Sequence, residues 1–151
     1  MDKLRQLSIF SENKPGRLRK ITKVLAEEGV NILAINIASS NGFGVIKFIV
    51  DKFEPAYQKL KQKGFTVSLN EVLAIELTDR PGGLFEVAAL LSKKRINIEN
   101  AYVLILESRK KAFLIADVKD IEKAKKLLEH ENLRFYREEG PKKKNIARRV
   151  K

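Results

Sequence analysis

The chain has 151 residues, a formal net charge of +12, 44% apolar residues and no cysteine. That apolar share supports a packed core and excludes wholesale disorder, while the missing cysteine excludes disulfides, thiol catalysis and thiolate-bound metal. The one histidine, His130, lies in the polar stretch "KAKKLLEHENL", so a Ser-His-Asp arrangement and a His-rich zinc site both lack their parts.

Leu4–Phe10 is apolar with some alternation and reads as a strand. Pro15-Gly16 opens a helix, because proline suits a first helical turn, where its missing N–H has no partner to lose. Leu18, Ile21, Val24 and Leu25 recur at helical spacing, and Gly29 stops the helix. Asn31–Ser40 and Gly44–Asp51 are two strands around a tight turn at Asn41-Gly42. Pro55–Lys63 is a helix, amphipathic through Ala56 and Leu60, and Phe65–Leu69 is a strand. Asn70-Glu71 reads as a short link. The second half gives strand Val72–Leu77, helix Gly82–Lys94, strands Ile98–Leu106 and Lys111–Asp117, helix Ile121–Glu129 and strand Leu133–Tyr136.

The two halves are copies. At a shift of 66 positions "LSIFSENKPGRLRKITKVLAEEGVNI" from Leu7 lies over "LAIELTDRPGGLFEVAALLSKKRINI" from Leu73 without a gap, and Asp51 meets Asp117. Each copy reads β-α-β-β-α-β. The expected fold is therefore α+β: two ferredoxin-like βαββαβ units in tandem, with antiparallel sheets and helices on one face. The units are placed at 1–70 and 71–139. A unit of about 70 residues has a marginal core, which favours close packing of the two, or dimerisation.

Charge divides unevenly. Residues 1–70 hold 12 basic and 6 acidic side chains, residues 71–139 hold 13 of each, and residues 140–151, "GPKKKNIARRVK", hold 6 basic and none acidic. That last segment reads as a basic, disordered tail. No apolar run approaches the roughly 20 residues that a membrane-spanning helix needs, and the first residues lack a signal-peptide core. A soluble cytoplasmic protein with no membrane partner is expected.

The duplication keeps "NKPGRL…GVNI" and "DRPGGL…RINI". This pattern resembles the ACT domain, the small-molecule regulatory module of amino-acid metabolism, and the resemblance spans residues 4–137. It implies an amino acid, or a similar small carboxylate, held between ACT units at the turn from first strand into first helix. A helix N-terminus presents free N–H groups and partial positive charge to a carboxylate, and glycine lets a ligand approach the backbone. By position, Asn13, Gly16, Arg17 and Leu18 line the first turn, and Asp79, Gly82, Gly83 and Leu84 line the second. Asn31, Ile32, Asn97 and Ile98 stand at the second-strand starts. Asp79 is charged where Asn13 is not, and Gly83 is small where Arg17 is large, so the second turn is the favoured zwitterion site. The resemblance further implies a homodimer and regulation, in trans, of a metabolic enzyme. Neither a catalytic pair, a metal-ligand spacing nor a phosphate-binding glycine loop stands out, so no enzyme activity, metal or cofactor is expected.

One stretch points elsewhere. "NGFGVIKFIV" from Asn41 resembles the octamer of the RNA-recognition motif at Gly42, Phe43, Gly44, Ile46 and Phe48. Asn41 replaces its basic residue and Val45 its second aromatic. "IFSENK" adds an aromatic at Phe10, but Ser11 and Lys14 replace aliphatic positions. Alternation sends Ile46, Phe48 and Val50 to one face and Val45, Lys47 and Ile49 to the other, and the second face is expected to be buried against another unit. The alternative function is therefore a basic nucleic-acid-binding protein that uses the tail and the first unit, and its binding would weaken steeply with salt.

Overall fold

The computed structural model describes residues 4–107 and 111–136. The elements run β1 (Leu4–Glu12), α1 (Arg17–Glu27), β2 (Ile32–Ser40), β3 (Phe43–Val50), α2 (Phe53–Gln62), β4 (Thr66–Leu77), α3 (Gly83–Lys93), β5 (Ile98–Glu107), β6 (Lys111–Val118) and α4 (Ile121–Leu128). The six strands form one antiparallel sheet in the order β2-β3-β1-β4-β6-β5. Four helices and this sheet make an α+β fold, with the layering of ferredoxin-like units.

Asn70-Glu71 does not link two strands. It lies inside β4, whose first half pairs with β1 and whose second half pairs with β6. One uninterrupted strand can serve both halves because an extended chain offers a hydrogen-bonding edge on each side. Leu133–Tyr136 forms less than a strand. It meets β4 at a single bridge, Ile75 to Phe135, flanked by Glu76 N–H to Arg134 O (2.7 Å) and Tyr136 N–H to Ala74 O (2.9 Å). The tail at 140–151 lies outside the described residues.

The helices cover one face. Leu7, Ile9, Ile46, Phe48 and Val50 pack against Ile21, Leu25, Ala56 and Leu60 of α1 and α2. Leu73, Ile75, Leu77, Leu114 and Ala116 pack against Val87, Leu91, Ala124 and Leu128 of α3 and α4. Val67, Leu73, Ile75 and Leu77 on β4 are all separated by even numbers of positions, so both helix pairs lie on the same side.

The helix-free face is closed over half its length. Leu4, Ile49, Val72, Ala74, Leu104, Phe113 and Ile115 form a third cluster, with Leu33, Ala34 and Tyr102 packed on it. The sheet curls so that its edge strands β2 and β5 meet there. Beside this cluster sits a polar network. Asp117 accepts from Lys47 Nζ (2.6 Å), Asn70 Nδ2 (2.8 Å) and Gln6 Nε2 (3.2 Å), and Tyr102 O–H donates to Gln6 Oε1 (2.6 Å). Gln6 is completely buried, so these bonds replace the water it lost on folding.

The repeat changes register on the way. Ile32 and Ile98 stand 66 positions apart, but their cross-strand partners Val50 and Val118 stand 68 apart. Two extra residues in the second hairpin cause this. Asp51 and Asp117, aligned in sequence, therefore occupy different places. Asp51 follows β3 and accepts from the Asn31 N–H (2.8 Å), while Asp117 lies inside β6 in the network.

Candidate ligand site

The first turn is opened by its backbone. Asn13 N–H donates to Gly42 O (2.8 Å), tying the end of β1 to the β2–β3 turn, and Arg17 N–H donates to Lys14 O (3.3 Å). Gly16 has φ +85°, a left-handed conformation, with open space where a Cβ would stand. Glycine is thus required there by backbone conformation and not by crowding. No side chain caps α1, and its first turn holds no acidic residue. The positive end of the helix dipole stands beside a cavity of about 490 Å³ that the first residues of α1 line.

Asn13, Gly16, Arg17 and Leu18 all line that cavity, joined by Ile37 and Ser39 of β2 and Gly44 and Ile46 of β3. Glu12 lines it too. Its carboxylate meets Lys14 Nζ at 2.6 Å and Arg17 Nη2 at 3.8 Å. The Lys14 hydrogen bond and charge, with a smaller part from Arg17, hold Glu12 below the usual carboxylate range. One wall is therefore polar and charged, and the other, from Leu18, Ile37 and Ile46, is apolar.

The second turn has the same backbone and a different filling. Gly82 repeats the left-handed conformation at φ +88°. An ideal Cβ on Gly83, which is buried, would stand 2.0 Å from the Thr78 carbonyl oxygen, so the chain folds back onto the position that Arg17 holds in the first turn. Glu86 sits in the first turn of α3 and meets Arg80 Nη2 at 2.5 Å. Its counterpart on α1 is Lys20, since Lys20 and Glu86 donate their N–H groups to Gly16 O and Gly82 O alike. The first turn of α3 thus carries an acidic residue, and that of α1 carries none. Asp79 is partly buried, while Leu84 is exposed.

The strand-start residues stand apart from the first cavity. Asn31 is exposed and exchanges two bonds with Asp51, through its N–H (2.8 Å) and its carbonyl (3.1 Å). Ile32 packs on the first core cluster and Ile98 on the second. Ile32 begins β2, and the cavity is reached only near that strand's other end, at Ile37 and Ser39. Asn97 lines a second cavity of about 630 Å³, between Arg95–Asn97 and the start of α4. The structure thus gathers Asn13, Gly16, Arg17 and Leu18 at one cavity, keeps Asp79, Gly82, Gly83 and Leu84 together at the second turn, and sets the four strand-start residues apart from the first cavity. Glu12, Ile37, Ser39, Gly44 and Ile46 were missed; strand alternation puts Gly44 and Ile46 together on the helix side of β3. Among the described residues no cluster has metal-ligand character, and no helix is long and apolar enough to cross a membrane.

Residues 2–145 match the family described as an ACT domain pair. The chain belongs to that family. The ACT pair is similar to protein BT0572 from Bacteroides thetaiotaomicron, with 32% identity, 90% of this chain and 93% of that one covered, and a TM-score of 0.81. Its fold is also that of the regulatory subunit of aspartate kinase from Thermus thermophilus, at 18% identity, 85% and 92% coverage and a TM-score of 0.62. The corresponding subunit from Thermus flavus gives 16% identity, the same coverages and a TM-score of 0.59. No curated protein sequence matches the chain.

Proposed function

We propose that this ACT pair is a sensor that binds a free amino acid, or a similar small carboxylate, and regulates an enzyme of amino-acid metabolism in trans. The carrying observation is the cavity at the N-terminus of α1, whose first turn has neither a side-chain cap nor an acidic residue. The ligand carboxylate takes the orphan N–H groups beside Gly16 and the guanidinium of Arg17. The ammonium group takes acceptors on Asn13 and Glu12. Leu18, Ile37 and Ile46 suit an apolar side chain, so an aliphatic amino acid fits best. Family membership supports a regulatory, non-catalytic role. The similar kinase subunits are regulatory by name, which adds to that reading without fixing the partner.

Each unit is proposed as βαββαβ, with the boundary inside β4. In the second unit, Asp79, Gly82, Gly83 and Leu84 form a turn onto which Thr78 folds, and α3 starts with Glu86 in its first turn, so we assign it the weaker site or a structural role. Asn31, Ile32, Asn97 and Ile98 are proposed to meet ligand only across a unit interface. A homodimer would supply that interface, since edge strand β2 exposes Ile35 and Ile37, and Ile37 is also a cavity wall. A bound ligand would then stabilise one packing and the regulated enzyme would sense it by linkage.

Thermal denaturation with each of the twenty amino acids tests the reading. A ligand that binds only the folded state adds about 2.7 kcal/mol at a hundredfold excess over its Kd. A shift from the aliphatic class, lost in Arg17→Ala, supports it. Flat melting curves for all twenty amino acids would refute it.

A further inference from the structure

The half of the helix-free face that the second repeat leaves uncovered carries two aromatic rings. Phe10 on β1 and Phe43 on β3 stack with centroids 5.5 Å apart and planes 7° from parallel. Both are about half exposed, at 52% and 47%. Strand alternation puts them opposite the helices: Leu7 and Ile9 bracket the helix side of β1, and Ile46 and Phe48 that of β3. The expectation that this whole face is buried holds only beyond Lys47, where the third cluster closes it.

We propose that Phe10 and Phe43 form a stacking platform for the bases of single-stranded RNA. Rings stacked face to face on adjacent strands cover each other's inner faces and leave an outer face on each, and every base can continue such a stack. Hydroxyls flank it. Thr66 stands directly across from Phe10, and Ser40 directly across from Phe43, both exposed. A hydroxyl both donates and accepts, so it can meet the edge of any base. The charge also favours a polyanion. Residues 1–70 hold 12 basic against 6 acidic side chains. Lys14 and Arg17 place two cations on the single carboxylate of Glu12, whose cross-strand partner is Phe43, and leave one positive charge in excess there. Lys47, further along the same face, is already committed to Asp117.

The platform belongs to the first repeat alone. In the register that the strands adopt, Glu76 stands at the place of Phe10 and Lys111 at that of Phe43. A second copy of this chain is the competing occupant, because two exposed rings could equally be covered by apolar side chains. Stacking and burial make different demands. A base needs a flat ring, whereas a protein interface is served by leucine.

The test is fluorescence anisotropy of the full chain with a labelled single-stranded RNA of about ten nucleotides, without added amino acids. Wild type is compared with Phe10→Leu/Phe43→Leu and with Phe10→Tyr/Phe43→Tyr, and sedimentation is run in parallel. The proposal expects RNA binding that falls at least about tenfold in the leucine variant and is kept in the tyrosine variant. The salt slope should be alike in wild type and leucine variant, because phosphate contacts are untouched. Equal affinity of wild type and leucine variant overturns it, since charge alone then binds. Absence of RNA binding by the wild type overturns it, as does a double Phe10→Ala/Phe43→Ala variant that dissociates a wild-type dimer. Neither Phe10 nor Phe43 lines the amino-acid cavity, so failure of these variants leaves the proposed function standing.

Discussion

Lys47 Nζ lies 2.6 Å from Asp117 Oδ2, joining residues 70 positions apart across the two repeats. Both side chains are more than four-fifths buried. A mostly enclosed ion pair adds little over an apolar pair of the same volume, but removing one member leaves a charge without compensation. Asp117→Ala also removes the acceptor of Asn70 and Gln6. We expect it to cost about 2–4 kcal/mol. The double change Lys47→Met/Asp117→Leu should cost clearly less. Urea denaturation of the three proteins gives the comparison. A double variant as unstable as the single one would mean that the network, and not the charge, sets the cost.

Tyr102 couples this network to alkaline pH. Burial, then the nearby Asp117 charge, pushes its phenol well above the ordinary tyrosine value. In the unfolded chain the phenol ionises near pH 10, at about its usual pKa. The unfolded state therefore loses its proton first, and stability falls as pH rises past that point. The contribution is fully present below about pH 10. Tyr102→Phe should flatten the fall between about pH 9 and 11. It should also cost about 1 kcal/mol near neutral pH, because Gln6 Oε1 loses its donor. Unfolding curves at stepped pH read both effects. Parallel alkaline slopes in the two proteins would assign the fall to lysine deprotonation instead.

Gly16 and Gly83 should respond differently to one methyl group. At Gly16 a Cβ meets nothing within 4 Å, so alanine bears only the strain of φ +85°, about 1–2 kcal/mol. At Gly83 the Cβ would stand 2.0 Å from Thr78 O, and backbone must move. Gly83→Ala should cost more than about 3 kcal/mol or prevent folding. Thermal midpoints rank the pair, and equal losses would place Thr78 further from Gly83 than it stands.

The legible parts of this fold were local. Leu18, Ile21, Val24 and Leu25 mark α1 by their spacing, and all but Leu18 are buried. Pro15-Gly16 marks the turn because the backbone there needs glycine whatever surrounds it. Asn70-Glu71 was illegible for the opposite reason. Two polar residues read as a link, yet Asn70 bonds Gln6 64 positions away and Glu71 bonds Lys125 54 positions away. Alternation sorts Ile37 and Ser39 onto one face of β2, but only the sheet order brings that face beside Gly16. The preference for the second turn rested on side-chain charge and size. The opposite preference proposed above rests on Thr78 folded against Gly83 and on Glu86 in the first turn of α3, which charge and size at the turn do not reveal.

The difference between the two turns suggests a change that should separate stability from binding. Lys20 on α1 stands where α3 has Glu86. Lys20→Glu places a carboxylate in the first turn of α1, where the helix dipole favours it by about 0.3–1 kcal/mol. Without ligand the variant should melt at or slightly above the wild-type temperature. The same carboxylate competes for the positive end that the cavity offers to a ligand, and it repels a second anion. Amino-acid affinity should therefore fall about tenfold while stability holds. Calorimetric titration beside a melting curve reads the two together. Unchanged affinity would move the ligand carboxylate away from α1, and a lower melting temperature would mean that Lys20 is needed where it stands.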